Sequence, residues 1–333
     1  MSDTQKKVLV TGGAGFIGSH LVAYLLDQGY GVTVLDNFRN GKRENLPLES
    51  PALSVMEGDI VDAATCREAS DGRDIVFHLA CLGVRHSIHN PRENHEVNAL
   101  GTLNVLEGAK CAGVGRVVYV SSSEVYGATD EFPIKEATAT WPLTVYGASK
   151  LAGEHYTRAY HECYGMSTVC VRPFNNFGPR SHFEGDAGEV IPRFILRVLS
   201  GLPPVIFGDG THTRDFLYVS DCVRGLLDIA LCDTLTGCSV NLGYGSEVSI
   251  GELAKAVLSA TGRTDLEAEC VDERPADVPR LWAETSLLRE HVEFVPKVGI
   301  EEGIGRCLEY FRGVHADTPN LMDQIRDRNW EVS

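Results

Sequence analysis

The sequence is short of positive charge. Thirty Lys and Arg stand against 46 Asp and Glu among 333 residues, a formal net charge of −16. A surface of that sign repels a phosphate backbone and anionic lipid headgroups alike, so neither nucleic acid nor a membrane surface is an expected partner. Long apolar runs are missing too: no stretch approaches the roughly 18 to 20 residues of a membrane span. Ten cysteines, at 66, 81, 111, 163, 170, 222, 232, 238, 270 and 307, form no CxxC pair, and no secretory leader is read in the polar stub Met1–Lys7. They are expected to be reduced, mostly buried thiols of a cytoplasmic protein, and no metal site is assigned. Internal repeats and low-complexity linkers are also lacking. What remains is a soluble chain, 43% apolar, with material for about two domains at roughly 150 residues each.

From Val8 onward, short apolar runs alternate with longer amphipathic ones, the pattern of β-α-β units around a parallel sheet. Strands are expected at Val8–Val10, Val32–Asp36, Leu53–Glu57, Ile75–Leu79, Val117–Ser121 and Thr168–Arg172, and helices at Phe16–Gln28, Glu96–Cys111 and Tyr146–Tyr164. The fold class is therefore α/β: a doubly wound parallel Rossmann sheet over residues 1–173, suited to binding a dinucleotide. After Pro173, clusters of Pro, Gly and Asn break the alternation, with helical runs at Val190–Ser200, Asp221–Leu231 and Ile250–Thr261. Residues 174–333 are read as a smaller C-terminal α/β substrate-binding domain, some segments of which return to the first.

Thr11-Gly12-Gly13-Ala14-Gly15-Phe16-Ile17-Gly18 follows the first strand directly and opens the first helix. In that setting Gly12 permits the tight turn, Gly15 lets backbone approach a pyrophosphate, and Gly18 lets helix and strand pack closely. Free N–H groups at the helix start then face the anion. Asp36, at the end of the second strand, can accept from both ribose hydroxyls and would repel a 2′-phosphate, which favours NAD over NADP. Arg39 nearby keeps NADP open.

Tyr146 and Lys150 stand four residues apart, on one face of a helix. An ammonium beside a phenol, with a positive nicotinamide near, is expected to draw the phenol down from its ordinary pKa of about 10 and make it a general base. YxxxK alone is equally the face of an ordinary amphipathic helix; the glycine turn upstream makes it specific.

Taken together, TGGAGFIGSH (11–20), LDN (35–37), GDI (58–60), HLA (78–80), SSSEVYG (121–127), YGASK (146–150), RPFNNFGPR (172–180) and RDFLYVSD (214–221) resemble the extended short-chain dehydrogenase/reductases that act on nucleotide sugars. The resemblance implies NAD as cofactor and cofactor contacts from Gly12, Gly15, Phe16, Ile17, Gly18, Asp36, Asn37, Asn40, Asp59, Ile60, Leu79, Ala80, Asn98 and Pro173, with Asn98 steadying the active-site backbone. It implies Tyr146 as base, Lys150 holding tyrosine and nicotinamide ribose, and Ser122 bonding the reacting sugar hydroxyl. For the nucleotide sugar it implies Ser123, Asn175 and Val190, a base pocket at Val205 and Phe207, and diphosphate arginines at Arg214 and Arg274. Arg274 opens RPADVPRLW (274–282). The family also implies a homodimer built on helices near 96–111 and 146–164, although Leu100, Leu103 and Leu106 read equally as intramolecular core.

Oxidation at the sugar C4 opens every reaction of the resembling enzymes. Glu124, two residues before Tyr126, is a base able to reach C5, which favours 4,6-dehydration or decarboxylation. Ser123 departs from the dTDP-glucose dehydratase pattern, and Ser87 and RPADVPRLW look epimerase-like. Arg85 is a candidate substrate contact, but with His86 it reads as part of a solvated loop rather than as a carboxylate receptor. An NDP-hexose 4-epimerase stands first and a dehydratase or decarboxylase second. A cofactor-binding regulator would need the glycine turn but not Ser122, Tyr146 and Lys150.

Overall fold

The protein is described by a computed structural model covering residues 5–274, 277–318, 320–326, 328 and 330; Pro275 and Ala276 of the RPADVPRLW stretch lie outside the described residues. Its centre is a sheet whose strands read as near-continuous apolar runs, as strands covered on both faces must. β1 (Lys7–Thr11), β2 (Gly31–Asp36), β3 (Leu53–Glu57), β4 (Ile75–His78), β5 (Arg116–Val120) and β6 (Thr168–Pro173) are joined by a seventh strand, Ser239–Leu242. All run parallel, in the order Ser239–Leu242, β6, β5, β4, β1, β2, β3. The chain winds outward from β1 to β3 and then crosses back to β4 on the other side of β1. That reversal opens a crevice at the carboxyl ends of β1 and β4, where doubly wound sheets bind ligands. The seventh strand comes from the second half of the chain, as does the helix Val219–Leu231 that packs on α1 (Phe16–Asp27).

The elements differ from expectation where they approach the crevice. Leu79 and Ser121 leave β4 and β5 and bend out of the sheet toward the cleft. The expected helix Glu96–Cys111 opens instead as a π-helical turn, Glu96–Leu100, before the α-helix Gly101–Ala112. Such a wide turn re-aims a side chain. Here Asn98 turns inward and grips one residue twice, accepting from Leu82 N at 2.8 Å and donating to Leu82 O at 3.0 Å. Residues 85–87 are not a solvated loop. They belong to the helix Val84–His89, where His86 and Ser87 are buried.

All ten cysteines are unpaired, but only Cys66, Cys170, Cys222 and Cys307 are buried, which corrects the expectation of mostly buried thiols. Cys111 and Cys163 sit on solvent faces near helix ends, and Cys270 is in a short two-stranded sheet. Leu106 belongs to the core while Leu100 is 43% exposed. Among the described residues no helix is long and apolar enough to cross a membrane.

One buried polar network locks the sheet to the helix Val145–Tyr164. Arg172 on β6 donates through Nε and Nη2 to the carboxylate of Glu154 (2.9 and 2.7 Å) and through Nη1 to the Tyr126 hydroxyl (2.8 Å). Tyr126 in turn donates to Asn241 Oδ1 on the seventh strand (2.6 Å). Removing one partner of a buried ion pair leaves the other charge uncompensated, at a cost of about 3–5 kcal/mol. Glu154→Ala is therefore expected to lower unfolding stability by about that amount, read as a shift of the urea midpoint at unchanged slope.

Candidate active site

The turn after β1 is shaped by contacts that leave no room for side chains. Gly12 takes φ +70°, and a Cβ there would lie 2.7 Å from Ala80 N; a Cβ on Gly18 would lie 2.1 Å from Gly12 O. Gly15 caps α1 with no side-chain partner, so the first N–H groups of the helix stay free for an anion. A Cβ on Gly15 would meet only Gly12 O, at 3.3 Å, and is otherwise open. Asp36 is held by Ala14 N (2.9 Å) and Phe38 N (2.8 Å), one to each carboxylate oxygen, and keeps lone pairs for ribose hydroxyls. Asn37 donates to Asp59 at 2.8 Å, and Asp59 accepts from Val61 N at 2.9 Å, which fixes both side chains beside the cradle. The cradle fits NAD. It fits a 2′-phosphate poorly, because the Asp36 carboxylate held at the ribose end would repel it.

The cradle and the expected catalytic residues lie along one cleft of about 500 Å³. Gly12, Gly15, Phe16, Ile17, Gly18, Asp36, Asn37, Asn40, Asp59, Ile60, Leu79, Ala80 and Pro173 line its cofactor half, and Ser122, Ser123, Glu124, Tyr146 and Lys150 its middle. Asn98 does not line it. Fully buried behind it, Asn98 holds Leu82 and bonds Ser149 Oγ at 3.2 Å, so it positions rather than touches.

Thr144 caps the helix Val145–Tyr164 by accepting from Gly147 N (3.1 Å). A Cβ on Gly147 would lie 2.7 Å from Glu124 O, so glycine lets this helix press against the turn Ser123–Val125. That approach sets Ser122 beside Tyr146, near enough for its hydroxyl to favour the phenolate. Lys150 is buried, with Nζ donating to Val120 O at 2.9 Å and lying 6.0 Å from the Tyr146 ring centroid. The protein groups do not draw the phenol toward neutrality as expected. Burial raises Tyr146 well above its ordinary 10, Cys81, Glu124 and Glu189 push the same way, and the Ser122 hydroxyl opposes them.

Toward the second half of the chain the cleft is rich in guanidinium. Arg214 Nη2 and Arg274 Nη2 both donate to Asp277 Oδ1, at 2.6 and 2.8 Å, so one carboxylate aims two cations into the cleft. Burial raises the pKa of Glu124, while Arg214 and Arg274 pull it down. Asn175, Val190, Val205 and Phe207 line this end, and Asn175 Oδ1 is buried without a protein partner. Arg85 also lines it, with Nε unpartnered.

Three residues here were not read from the sequence. Trp330 stands edge-on to Phe207 at 4.7 Å, far along the chain from any motif. His212 lies beside Asp277, Nδ1 to Oδ2 3.7 Å, in the stretch just before RDFLYVSD. Glu189 precedes the helix Val190–Leu199 and faces the cleft; burial raises its carboxyl to about 8 against the opposing pull of Arg85. A lone acid before an amphipathic helix looks like a helix cap, which hid it.

Residues 8–243 match the model of the NAD dependent epimerase/dehydratase family. The chain belongs to that family. It is 38% identical over 311 residues to a UDP-glucose 4-epimerase of Mycolicibacterium smegmatis, covering 92% of this chain and 98% of that protein. It is 33% identical to a UDP-N-acetyl-alpha-D-glucosaminuronate decarboxylase of Bacillus cytotoxicus, over 94% of this chain and 100% of that one. The crystal structure of the Thermus thermophilus UDP-glucose 4-epimerase complex with NAD superposes with a TM-score of 0.85 at 36% identity, covering 92% and 99% of the two chains. The protein is an NAD-dependent enzyme of the nucleotide-sugar epimerase/dehydratase type acting at the sugar C4.

Hydrogen bonds to charged groups contribute about 1.5–3 kcal/mol. Arg214→Ala should therefore weaken binding of a nucleoside diphosphate roughly ten- to hundredfold by isothermal titration. NAD content, read from the absorbance of the purified protein, should stay unchanged.

Proposed function

We propose that the enzyme is a UDP-hexose 4-epimerase. The observation that carries this reading is Tyr146 with Ser122 and Lys150 in one cleft, set between a dinucleotide cradle and a pair of arginines. Full-length likeness to the M. smegmatis UDP-glucose 4-epimerase favours epimerisation over the alternatives. Tyr146 takes the proton of the sugar 4-hydroxyl while Ser122 holds the oxygen as a second hydrogen-bonding partner. Bound NAD supplies the acceptor for the C4 hydrogen and is regenerated in the cycle. Arg214, Arg274 and Asn175 grip the diphosphate, leaving the 4-keto sugar free to turn its other face before Tyr146 returns the proton. Val205 and Phe207 pack the base.

Glu124 supports a second reading. An enclosed carboxyl with a raised pKa, near Tyr146, can remove the C5 proton in a 4,6-dehydration or assist loss of a C6 carboxylate. We also infer a homodimer, supported by exposed apolar side chains on the two helices concerned, Leu100, Val145 and Tyr164. A cytoplasmic location suits ten unpaired thiols.

Incubation with UDP-glucose, UDP-GlcNAc, UDP-glucuronate, dTDP-glucose and GDP-mannose, followed by mass and NMR analysis, separates the readings. Epimerisation keeps the mass and inverts C4; loss of water or carbon dioxide would overturn it. Tyr146→Phe should lower kcat by roughly 10²–10⁴-fold, the worth of a positioned general base, with NAD content unchanged. Glu124→Gln should spare epimerisation, and its collapse in that variant would show that Glu124 has a larger part.

A further inference from the structure

One end of the cleft rests on a thin support. Val205 and Phe207, which line it, belong to a strand of three residues, Val205–Phe207, paired in parallel with a single strand of the same length, Glu269–Val271. A two-stranded sheet is marginal on its own and takes its order from what packs on it. Side chains alternate along a strand. Ile206 points into the main core and is 3% exposed, whereas Val205 and Phe207 share the other face and are only half-buried. The strand is anchored through Ile206, but the Phe207 ring needs contacts of its own.

Those contacts come from the C-terminal segment. Leu321 and Ile325 are buried in the main core and fix the chain there. Beyond them Trp330, itself buried, sets its indole edge-on to Phe207, with ring centroids 4.7 Å apart and planes at 81°. That is the edge-to-face arrangement aromatic pairs favour. The Arg193 guanidinium, from the helix Val190–Leu199, lies 5.9 Å from the centroid of the same ring. The segment also meets the partner strand: Arg328 Nη2 is 3.5 Å from Asp272 Oδ2, one residue after Glu269–Val271. That ion pair is exposed and contributes little, so the aromatic contact carries the attachment. Trp330 is not among the residues that line the cleft. Any effect it has on a ligand passes through Phe207.

We propose that Trp330 is a positioning residue of the nucleotide site: it holds the Phe207 ring against which the base packs, so the C-terminal segment sets the affinity for the base. This rests on Val205 and Phe207 forming the base pocket and deepens that reading. A ring left free to turn would have to be ordered as the nucleotide binds, and that ordering opposes binding. With Trp330 in place the ordering is complete before the ligand arrives. Arg214 and Arg274 take their geometry from Asp277 instead, so the diphosphate and base contacts can be separated by experiment.

UDP and inorganic pyrophosphate, one carrying a base and the other none, serve as probes of the NAD-loaded enzyme. Trp330→Ala should raise the dissociation constant for UDP about three- to tenfold by isothermal titration, the worth of one aromatic pair. The constant for pyrophosphate and the NAD content should not change. Trp330→Phe, which keeps an aromatic ring, should restore most of the affinity. In a Phe207→Ala background, Trp330→Ala should have no further effect, because nothing is left to position. Trp330→Leu preserves apolar volume and takes the same comparisons if the alanine variant does not fold. An unchanged UDP constant in these variants, a parallel loss for pyrophosphate, or additive losses in the double variant overturns the inference. Normal UDP binding by Phe207→Ala removes the base pocket and the inference with it. Weakening by Phe207→Ala but not by Trp330→Ala leaves the pocket standing and sinks only the role of Trp330.

Discussion

The ion pair between Arg172 and Glu154 is the constraint on which the geometry of the active site depends. Glu154 stands two turns beyond Tyr146 on the same helix, and Arg172 is next to last on the strand that ends at Pro173 and leads to Asn175. The same guanidinium holds the Tyr126 hydroxyl, two residues after Glu124, and Tyr126 holds Asn241. Base, neighbouring acid and the start of the substrate half are thus referred to one fixed point. A buried pair contributes little net stability over an apolar packing of equal volume. Its value here is positional, since acid–base chemistry requires reacting groups within hydrogen-bond reach.

The deficit of positive charge takes on a different meaning at the site. A chain of net charge −16 binds two diphosphates, so the long-range field cannot be the attraction. Attraction is local. In the proposed complex the open N-terminus of α1 serves one pyrophosphate, and Arg214 with Arg274 the other. Asp277 lets two guanidinium groups converge that would otherwise repel each other. Enclosure strengthens these few charges relative to their value in water.

How far the site could be read from sequence follows from how local each feature is. The glycine turn is a continuous motif, and each glycine's role is visible in a single backbone approach, so Gly12 and Gly18 were legible. Tyr146 and Lys150 share a helix face, and helix periodicity alone makes them neighbours. Glu189 and Arg85 come to line one cleft only because a helix folds over residues 84–89, a segment whose polar composition resembles a loop. Asn98 was read near the cofactor but stands behind the cleft, because a π-helical turn rotates it away from where a regular helix would aim it. The expectation for the Tyr146 phenol counted a positive nicotinamide beside the lysine; what the protein itself adds, burial and three neighbouring groups from distant parts of the chain, raises the phenol and is not legible in any local motif.

The rim of the cleft is built on a different principle from its interior. Arg39 pairs with Glu93, Lys42 with Glu184 at 2.6 Å and His89 with Asp186 at 3.0 Å. The last two hold the segment Glu184–Ala187, of which Asp186 and Ala187 line the cleft. All are partly exposed, and such pairs contribute between nothing and about 1 kcal/mol each, less as salt rises. Breaking them to admit a ligand therefore costs little, whereas moving Tyr146 relative to Ser122 would require disrupting the buried Arg172–Glu154 pair. Strong contacts hold the reacting groups, and weak, screened ones close the opening, so the nucleotide sugar can enter and leave without disturbing the geometry that acts on it.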